Sequence, residues 1–186
     1  TFAELTGAAM RACGSSFDKV WEIKESSMQM RCRTTGCRII FCGFNDARHR
    51  EKIKSINFPE GKLTWIWIEE ATEISEADLE ILDDRLRGEL PNPNLFYQIT
   101  MTFNPVSGRH WLKKRYFDVV SDDVYTHHST YLSNRFIDEM FHRRMEQRKI
   151  FDPEGYRVYA LGEWGEQEGL ILTHYKVQEF AQDFDS

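Results

Sequence analysis

Apolar positions along the chain fall into short runs with two different periods. "KVWEI" (Lys19–Ile23) and "SMQMRCR" (Ser27–Arg33) alternate apolar and polar residues, and "CRIIFCGF" (Cys37–Phe44) follows the turn-like "TTG" (Thr34–Gly36). That pattern predicts antiparallel strands and a hairpin. Thr64–Ile68, Leu95–Phe103 and Val124–Tyr131 read as further strands, the first two as near-continuous apolar runs of the parallel-sheet kind. "GLILTHYKVQEF" (Gly169–Phe180) reads as a last strand. Helical signals lie between them. Phe2–Cys13 is closed by Gly14, and Leu79, Leu82 and Leu86 follow a capping-box pair, Ser75 and Asp78, with Gly88 placed to end that helix. A helix is expected around His110–Asp118, another capped by Asn134 and running through Lys149, and another from Asp152–Pro153 to near Gly162. The stretch Asn45–Ile56 is polar, basic and loop-like or briefly helical. Strands alternating with helices predict an α/β protein with a mostly parallel sheet and flanking helices. The chain shows no internal repeat.

Composition narrows this only a little. With 186 residues, 41% hydrophobic and 29% charged, the chain suits a folded domain with a sizeable core. The net charge of −6 argues against a surface that is basic throughout, although "RHWLKKR" (Arg109–Arg115) and "HRRMEQRK" (His142–Lys149) are local basic runs. Such runs are either phosphate-contacting patches or the solvated faces of helices. No apolar run approaches the length of a membrane span. Cys32, Cys37 and Cys42 recur every five residues, a spacing unlike a CxxC metal motif, so reduced thiols are expected there. His127 and His128 are adjacent and face opposite ways on a strand, which makes them poor joint ligands. Trp65, Trp67, Trp111 and Trp164 read as core.

The candidate chemistry sits where "LTWIWIEEATEIS" (Leu63–Ser75) changes character: an apolar strand runs into Glu69 and Glu70. Parallel sheets build their sites beyond the carboxyl ends of their strands. Thr102, Phe103 and Asn104 end the next long strand, so two acids and an amide are expected at one crevice. In P-loop nucleotide hydrolases, one strand-end acid holds the Mg²⁺ shell while a neighbouring group positions the attacking water. A divalent cation with its phosphates would also let both carboxylates stay ionised. The alternative reading, two solvated acids entering a loop, stays open on the dipeptide alone.

The ordered set "IWIEEATEIS", "DDRLRGEL", "ITMTFNP", "HWLKKRYF", "HHSTYLSNRF" and "DPEGYRVYALGEWGEQEGLIL" resembles the large subunit of tailed-phage terminases, of the type found in Gram-positive phages and defective prophages. The likeness runs from about Phe2 to about Lys176, and "IWIEEATEI", "TFNP" and "YRVYALGEWG" in this order are jointly specific. It implies a P-loop NTPase fold of the ASCE type. "IWIEE" would be the Walker B strand, with Glu69 on the Mg²⁺ side, its contact made through water because Glu replaces the more usual Asp. Glu70 would be the catalytic carboxylate that activates water. Thr102–Asn104 would be the coupling motif, with Asn104 sensing the γ-phosphate. Among the arginines, Arg48, Arg50, Arg85 and Arg87 are candidates for a finger that completes the site.

No G-x-x-x-x-G-K-[ST] occurs in the sequence. The resemblance therefore implies an ATPase domain without its Walker A strand over residues 1–165, and the start of a linker towards a nuclease over residues 166–186. A first residue other than Met fits a piece of a longer protein. Such a piece would be inactive alone, and its open sheet edges would favour self-association. In the intact protein the resemblance implies ATP and Mg²⁺ as cofactors and hydrolysis coupled to translocation of double-stranded DNA into a procapsid. A portal protein, a small terminase subunit and further copies in a ring would be its partners, with no membrane. The place of action would be the host cytoplasm, at the procapsid portal. A helicase or other DNA-dependent ATPase, and a non-catalytic prophage assembly module, are the alternative expectations.

Overall fold

The computed structural model describes residues 2–44, 53 and 61–166, and the chain divides into two compact units, Thr1–Lys62 and Leu63–Ser186. Unit 1 opens with helix α1 (Phe2–Cys13), in which the buried Thr6 hydroxyl donates back to the Phe2 and Ala3 carbonyls. Gly14 adopts φ +51°, the left-handed step that ends a helix at low cost for glycine. A short helix α2 (Phe17–Val20) leads into an antiparallel meander of β1 (Trp21–Lys24), β2 (Gln29–Cys32) and β3 (Arg38–Ile40). Alternation sorts its side chains. Trp21 lies opposite Cys32, Ile23 opposite Met30 and Met30 opposite Ile39, while Glu22, Arg31 and Arg38 share the other face. Met30 and Phe17 are buried. The predicted hairpin is therefore present.

Unit 2 holds a parallel pair, β4 (Trp65–Glu69) and β5 (Gln98–Thr102), in register from Trp65↔Gln98 to Glu69↔Thr102. Between them lies α3 (Glu76–Asp83). Its predicted capping box is complete: Asp78 N–H donates to Ser75 Oγ, and Ser75 N–H donates to Asp78 Oδ2. Leu79 and Leu82 are buried, whereas Leu86 lies past the helix end at Asp83, five residues before Gly88. Ser75→Ala removes a hydrogen-bonded cap and should lower stability by about 1 kcal/mol in a denaturant titration. An unchanged midpoint would show that the cap contributes nothing here.

After β5 come α4 (Trp111–Tyr116), α5 (Glu139–Phe151) and α6 (Pro153–Tyr159). Tyr131, Tyr156 and Ala160 form a small core with Phe141 and Met145 against it, and the Tyr131 hydroxyl donates to Glu146. Asp152 caps α6 as its Asp-Pro start predicts, accepting from Gly155 N–H at 2.9 Å.

Three expectations are corrected. The expected strand Val124–Tyr131 does not form: Val124–Thr130 has no regular secondary structure, Tyr131 opens a short 3-10 turn, and the segment's end is held by the His128 ring on the Leu161 carbonyl and by Tyr131 N–H on the Ala160 carbonyl. Asn134 makes a local turn by accepting from Phe136 N–H, and Asp138, which accepts from Phe141 N–H, is the cap of α5. Trp65 and Trp67 are 58% and 59% exposed, because they stand with Gln98 and Thr100 on the side of the sheet opposite the inward-facing Ile66 and Ile68. Their rings stack, and Trp65 Nε1 donates to Thr100 Oγ1 at 2.9 Å. Trp111 and Trp164 are half-buried. Asn45–Arg50, most of the following basic stretch and the predicted strand Gly169–Phe180 lie outside the described residues.

Candidate functional site

The parallel register is the basis of the site. It places Glu69, the last residue of β4, directly beside Thr102, the last residue of β5. Neighbouring strands lie about 4.8 Å apart, so "IWIEE" and "TFN" end at one edge of one sheet. Both glutamates and Thr102 are exposed, and Asn104 is half-buried. Exposure settles part of the charge question, since water screens two adjacent carboxylates at a strand end.

Glu70 leaves the strand in an unusual way. Its backbone adopts φ 54° and ψ 50°, a left-handed conformation that non-glycine residues enter at a cost of about 1–2 kcal/mol. Its carbonyl accepts from Glu73 N–H at 2.8 Å, and the next residue, Ala71, is fully buried. The chain therefore reverses direction at the second glutamate, and the side chain is presented on a tight turn instead of continuing the pleat.

That turn is held from the segment that follows β5. The Trp111 indole N–H donates to the Ile74 carbonyl at 3.1 Å, and His110 Nε2 lies 3.3 Å from the Thr72 carbonyl. His110 Nδ1 accepts from Leu112 N–H and caps α4. With Nδ1 an acceptor, the neutral ring carries its proton on Nε2 and donates it to Thr72. Arg115 adds an ion pair to Glu76 and a shorter one to Glu80. Its guanidinium pKa is pushed upward, chiefly by the hydrogen bond to Glu80. Nothing in the spacing of these residues marks them as partners of the 70–76 turn; the polar "RHW" before a helix is the only sequence signal.

Beyond Asn104 the chain is tied down a second time. Gly165 N–H donates to the Pro105 carbonyl at 2.8 Å, and Gly108 N–H donates to the Gly165 carbonyl at 2.9 Å. Phe103 packs at 6.1 Å from Phe117 and 5.8 Å from Trp164, and Phe117 lies 5.2 Å from Trp164, all between ring centroids. "TFNP" and "GEWG" are thus one physical unit.

The arginines are less informative. Arg87 and Gly88 offer their carbonyls to the Tyr97 hydroxyl, each at 2.8 Å, while Arg48 and Arg50 lie outside the described residues. In the basic runs, Lys113 pairs with Asp118, Arg143 with Glu139 and Arg148 with Asp152, so much of their charge is compensated locally. Among the described residues no group of three or more His, Cys, Asp or Glu is placed to hold a metal ion, and no helix is long and apolar enough to cross a membrane.

A parallel strand pair with acids at the carboxyl end of one strand and Thr-Phe-Asn at the end of its neighbour, flanked by helices, makes this an α/β protein with its candidate site at that edge. The chain belongs to the phage terminase large subunit family, whose family model matches residues 10–163. It is 28% identical over 171 residues to the PBSX phage terminase large subunit of Bacillus subtilis (strain 168), which covers 82% of this chain and 37% of that protein. The fold is similar to that of the large terminase from a thermophilic bacteriophage: TM-score 0.62 at 16% identity, covering 86% of this chain and 39% of that one. A second structure of the same thermophilic phage protein, in complex with ADP, gives a TM-score of 0.59 at 15% identity with the same coverage. The chain spans less than two-fifths of the length of these relatives.

Proposed function

We propose that this chain supplies the catalytic carboxylates and the coupling segment of a DNA-packaging ATPase. One observation carries the reading: in a member of the terminase large subunit family, the register Glu69↔Thr102 brings "IWIEE" and "TFN" to a single sheet edge. The complex of the thermophilic phage terminase with ADP supports nucleotide as the ligand class. The donors at the edge are carboxylate, hydroxyl and amide oxygens, which fit a hard divalent cation such as Mg²⁺. Glu69 would hold such an ion through water, and Glu70 would orient and deprotonate the water that attacks the γ-phosphate. Thr102 and Asn104 would contact the nucleotide side, with Asn104 passing the loss of γ-phosphate into the Pro105–Gly108 loop and on to Gly165. Bound Mg²⁺ supplies charge neutralisation of the phosphates.

The cradle of backbone N–H groups and lysine that a G-x-x-x-x-G-K-[ST] loop provides is not encoded in this sequence, so the chain alone is expected to give no ATP turnover. Residues 1–165 would then be part of the ATPase domain, and 166–186 the start of the passage to a nuclease. In the whole protein, hydrolysis would drive double-stranded DNA through a portal into a procapsid in the host cytoplasm, with the small subunit and further copies in a ring. The test is Mg²⁺-dependent ATP turnover by the full-length protein that carries this sequence, beside its Glu70→Gln variant. Turnover that vanishes in the variant supports the reading. Equal rates in both, or none in either with DNA present, return the glutamates to solvated acids at a strand end.

The exposed Trp65–Trp67 face also bears on the isolated chain. Large aromatics in the open, beside strand edges that are unpaired among the described residues, favour association. Light scattering on the isolated chain should show concentration-dependent self-association, reduced by Trp67→Ser. A monodisperse monomer at all concentrations would contradict this.

A further inference from the structure

All four cysteines of the chain fall within unit 1, and none is in a disulfide. Two of them face each other. The register of β2 and β3 sets Arg31 opposite Arg38, and one step further Cys32 stands opposite Cys37, its N–H donating to the Cys37 carbonyl at 2.8 Å. Directly opposed residues of an antiparallel pair point to the same face. The return bond of a full hydrogen-bonded pair is replaced at the turn, where the Cys32 carbonyl accepts from Gly36 N–H at 2.9 Å and Cys37 N–H donates to Thr35 Oγ1 at 3.3 Å, so Cys37 sits at a bulge beside Cys32. Cross-strand neighbours have Cα atoms about 4.5–5.5 Å apart, inside the window of about 4.4–6.8 Å that a disulfide requires.

The two thiols have unequal surroundings. Cys37 is exposed on the hairpin turn, whereas Cys32 is 8% exposed and lies opposite Trp21 of β1. The Thr34 hydroxyl lies 3.1 Å from Cys32 Sγ. Hydrogen bonds from the hydroxyls of Thr34 and Thr35, followed by the backbone N–H groups of the same residues, bring the Cys32 thiol down to about 6. Much of it is therefore thiolate at neutral pH, and the thiolate is the nucleophile in exchange. Cys37 is the sulfur that a small disulfide can reach, and Cys32 is the neighbouring thiolate placed to attack a sulfur carried by Cys37.

We propose that Cys32 and Cys37 form a dithiol site that exchanges with small disulfides of the glutathione class and closes reversibly into a Cys32–Cys37 bond. In the first step the Cys37 thiolate attacks one sulfur of glutathione disulfide, forming a mixed disulfide and releasing one glutathione thiolate. In the second, the Cys32 thiolate attacks the Cys37 sulfur and expels the second glutathione. The proton of Cys37 and one from solvent, into which Cys32 has already released its own, end on the two glutathiones, and the two cysteines are oxidised as one disulfide is reduced. The site lies in unit 1 and does not depend on the ATPase reading.

The experiment uses the folded chain incubated with glutathione disulfide, then cleaved with trypsin without reduction. Arg33 lies inside the loop and Arg38 just after it, so a closed bond joins peptide Cys32–Arg33 to peptide Thr34–Arg38. The expected result is that joined pair, with two of the four thiols lost to titration and recovered with dithiothreitol. Cys42→Ser should keep the joined peptides and Cys37→Ser should abolish them. Because Cys37 is exposed, its serine variant should keep the melting temperature, which is measured alongside. Stable glutathione adducts on both cysteines, a bond from Cys32 to Cys13 or Cys42 in the unmodified chain, or a pair that stays reduced would overturn the proposal.

Discussion

Gly165→Ala should destabilise the chain by roughly 3 kcal/mol, lowering its melting temperature by roughly 10 °C. A Cβ at this position would lie 2.3 Å from the Val106 carbonyl oxygen, 3.0 Å from its carbon and 3.1 Å from a Val158 methyl. The first two are backbone atoms, which cannot rotate away as a flexible side chain can. Relief requires the 105–108 loop and the 165 segment to separate. That weakens the two hydrogen bonds that join them, Gly165 N–H to Pro105 and Gly108 N–H to Gly165. Overpacking costs about 1–3 kcal/mol and each lost hydrogen bond about 1 kcal/mol, a large share of a typical stability of about 5–15 kcal/mol. The same substitution at Gly7 is the control. There a Cβ meets only the Arg11 guanidinium at 3.4 Å inside α1, and alanine should stabilise the helix by about 1 kcal/mol. Thermal melts of both variants decide the matter. A Gly165→Ala chain that melts with the parent would mean the two segments are not locked together.

Local chemistry made part of this architecture legible in the sequence. Ser75 with Asp78, Gly14 after α1 and Asp152–Pro153 before α6 are signals whose partners lie within four residues, and all three are observed. The two apolar runs that become β4 and β5 were legible as strands from their length and composition, and their last residues, Glu69 and Thr102, end side by side. Features set by distant neighbours were not legible. Apolar size says that Trp65 and Trp67 favour burial, but not whether that side of the sheet is covered. Asn134 has the right chemistry for a cap, yet the cap belongs to Asp138, four residues on, since Asn134 spends its oxygen on a turn with Phe136. Val124–Thr130 has strand composition, but its end bonds to carbonyls at the end of α6 instead of to a ladder. The clamps of His110 and Trp111 on the 72–74 turn join residues 37 or 38 positions apart, beyond any periodicity.

Two substitutions at Glu70 should separate its backbone from its side chain. Glu70→Gln keeps the left-handed φ of 54° and the size of the side chain but removes the charge, so the melting temperature should stay where it is. Glu70→Gly removes the side chain and lets the backbone occupy that conformation without a Cβ penalty. The penalty is about 1–2 kcal/mol, and glycine's extra freedom in the unfolded chain takes back part of it, leaving a gain of up to about 1 kcal/mol. Both melts are measurable on this chain without any nucleotide. In the full-length protein both variants should lose ATP turnover, by roughly 10²–10⁴-fold if the carboxylate acts as the base that activates water. A glycine variant that is more stable and inactive would mean that the strain at this turn is kept for the carboxylate it presents. A glycine variant that is less stable would mean that the Glu70 side chain itself supports the turn. In that case lost turnover in Glu70→Gly would say nothing about water activation, and only the glutamine variant would test it.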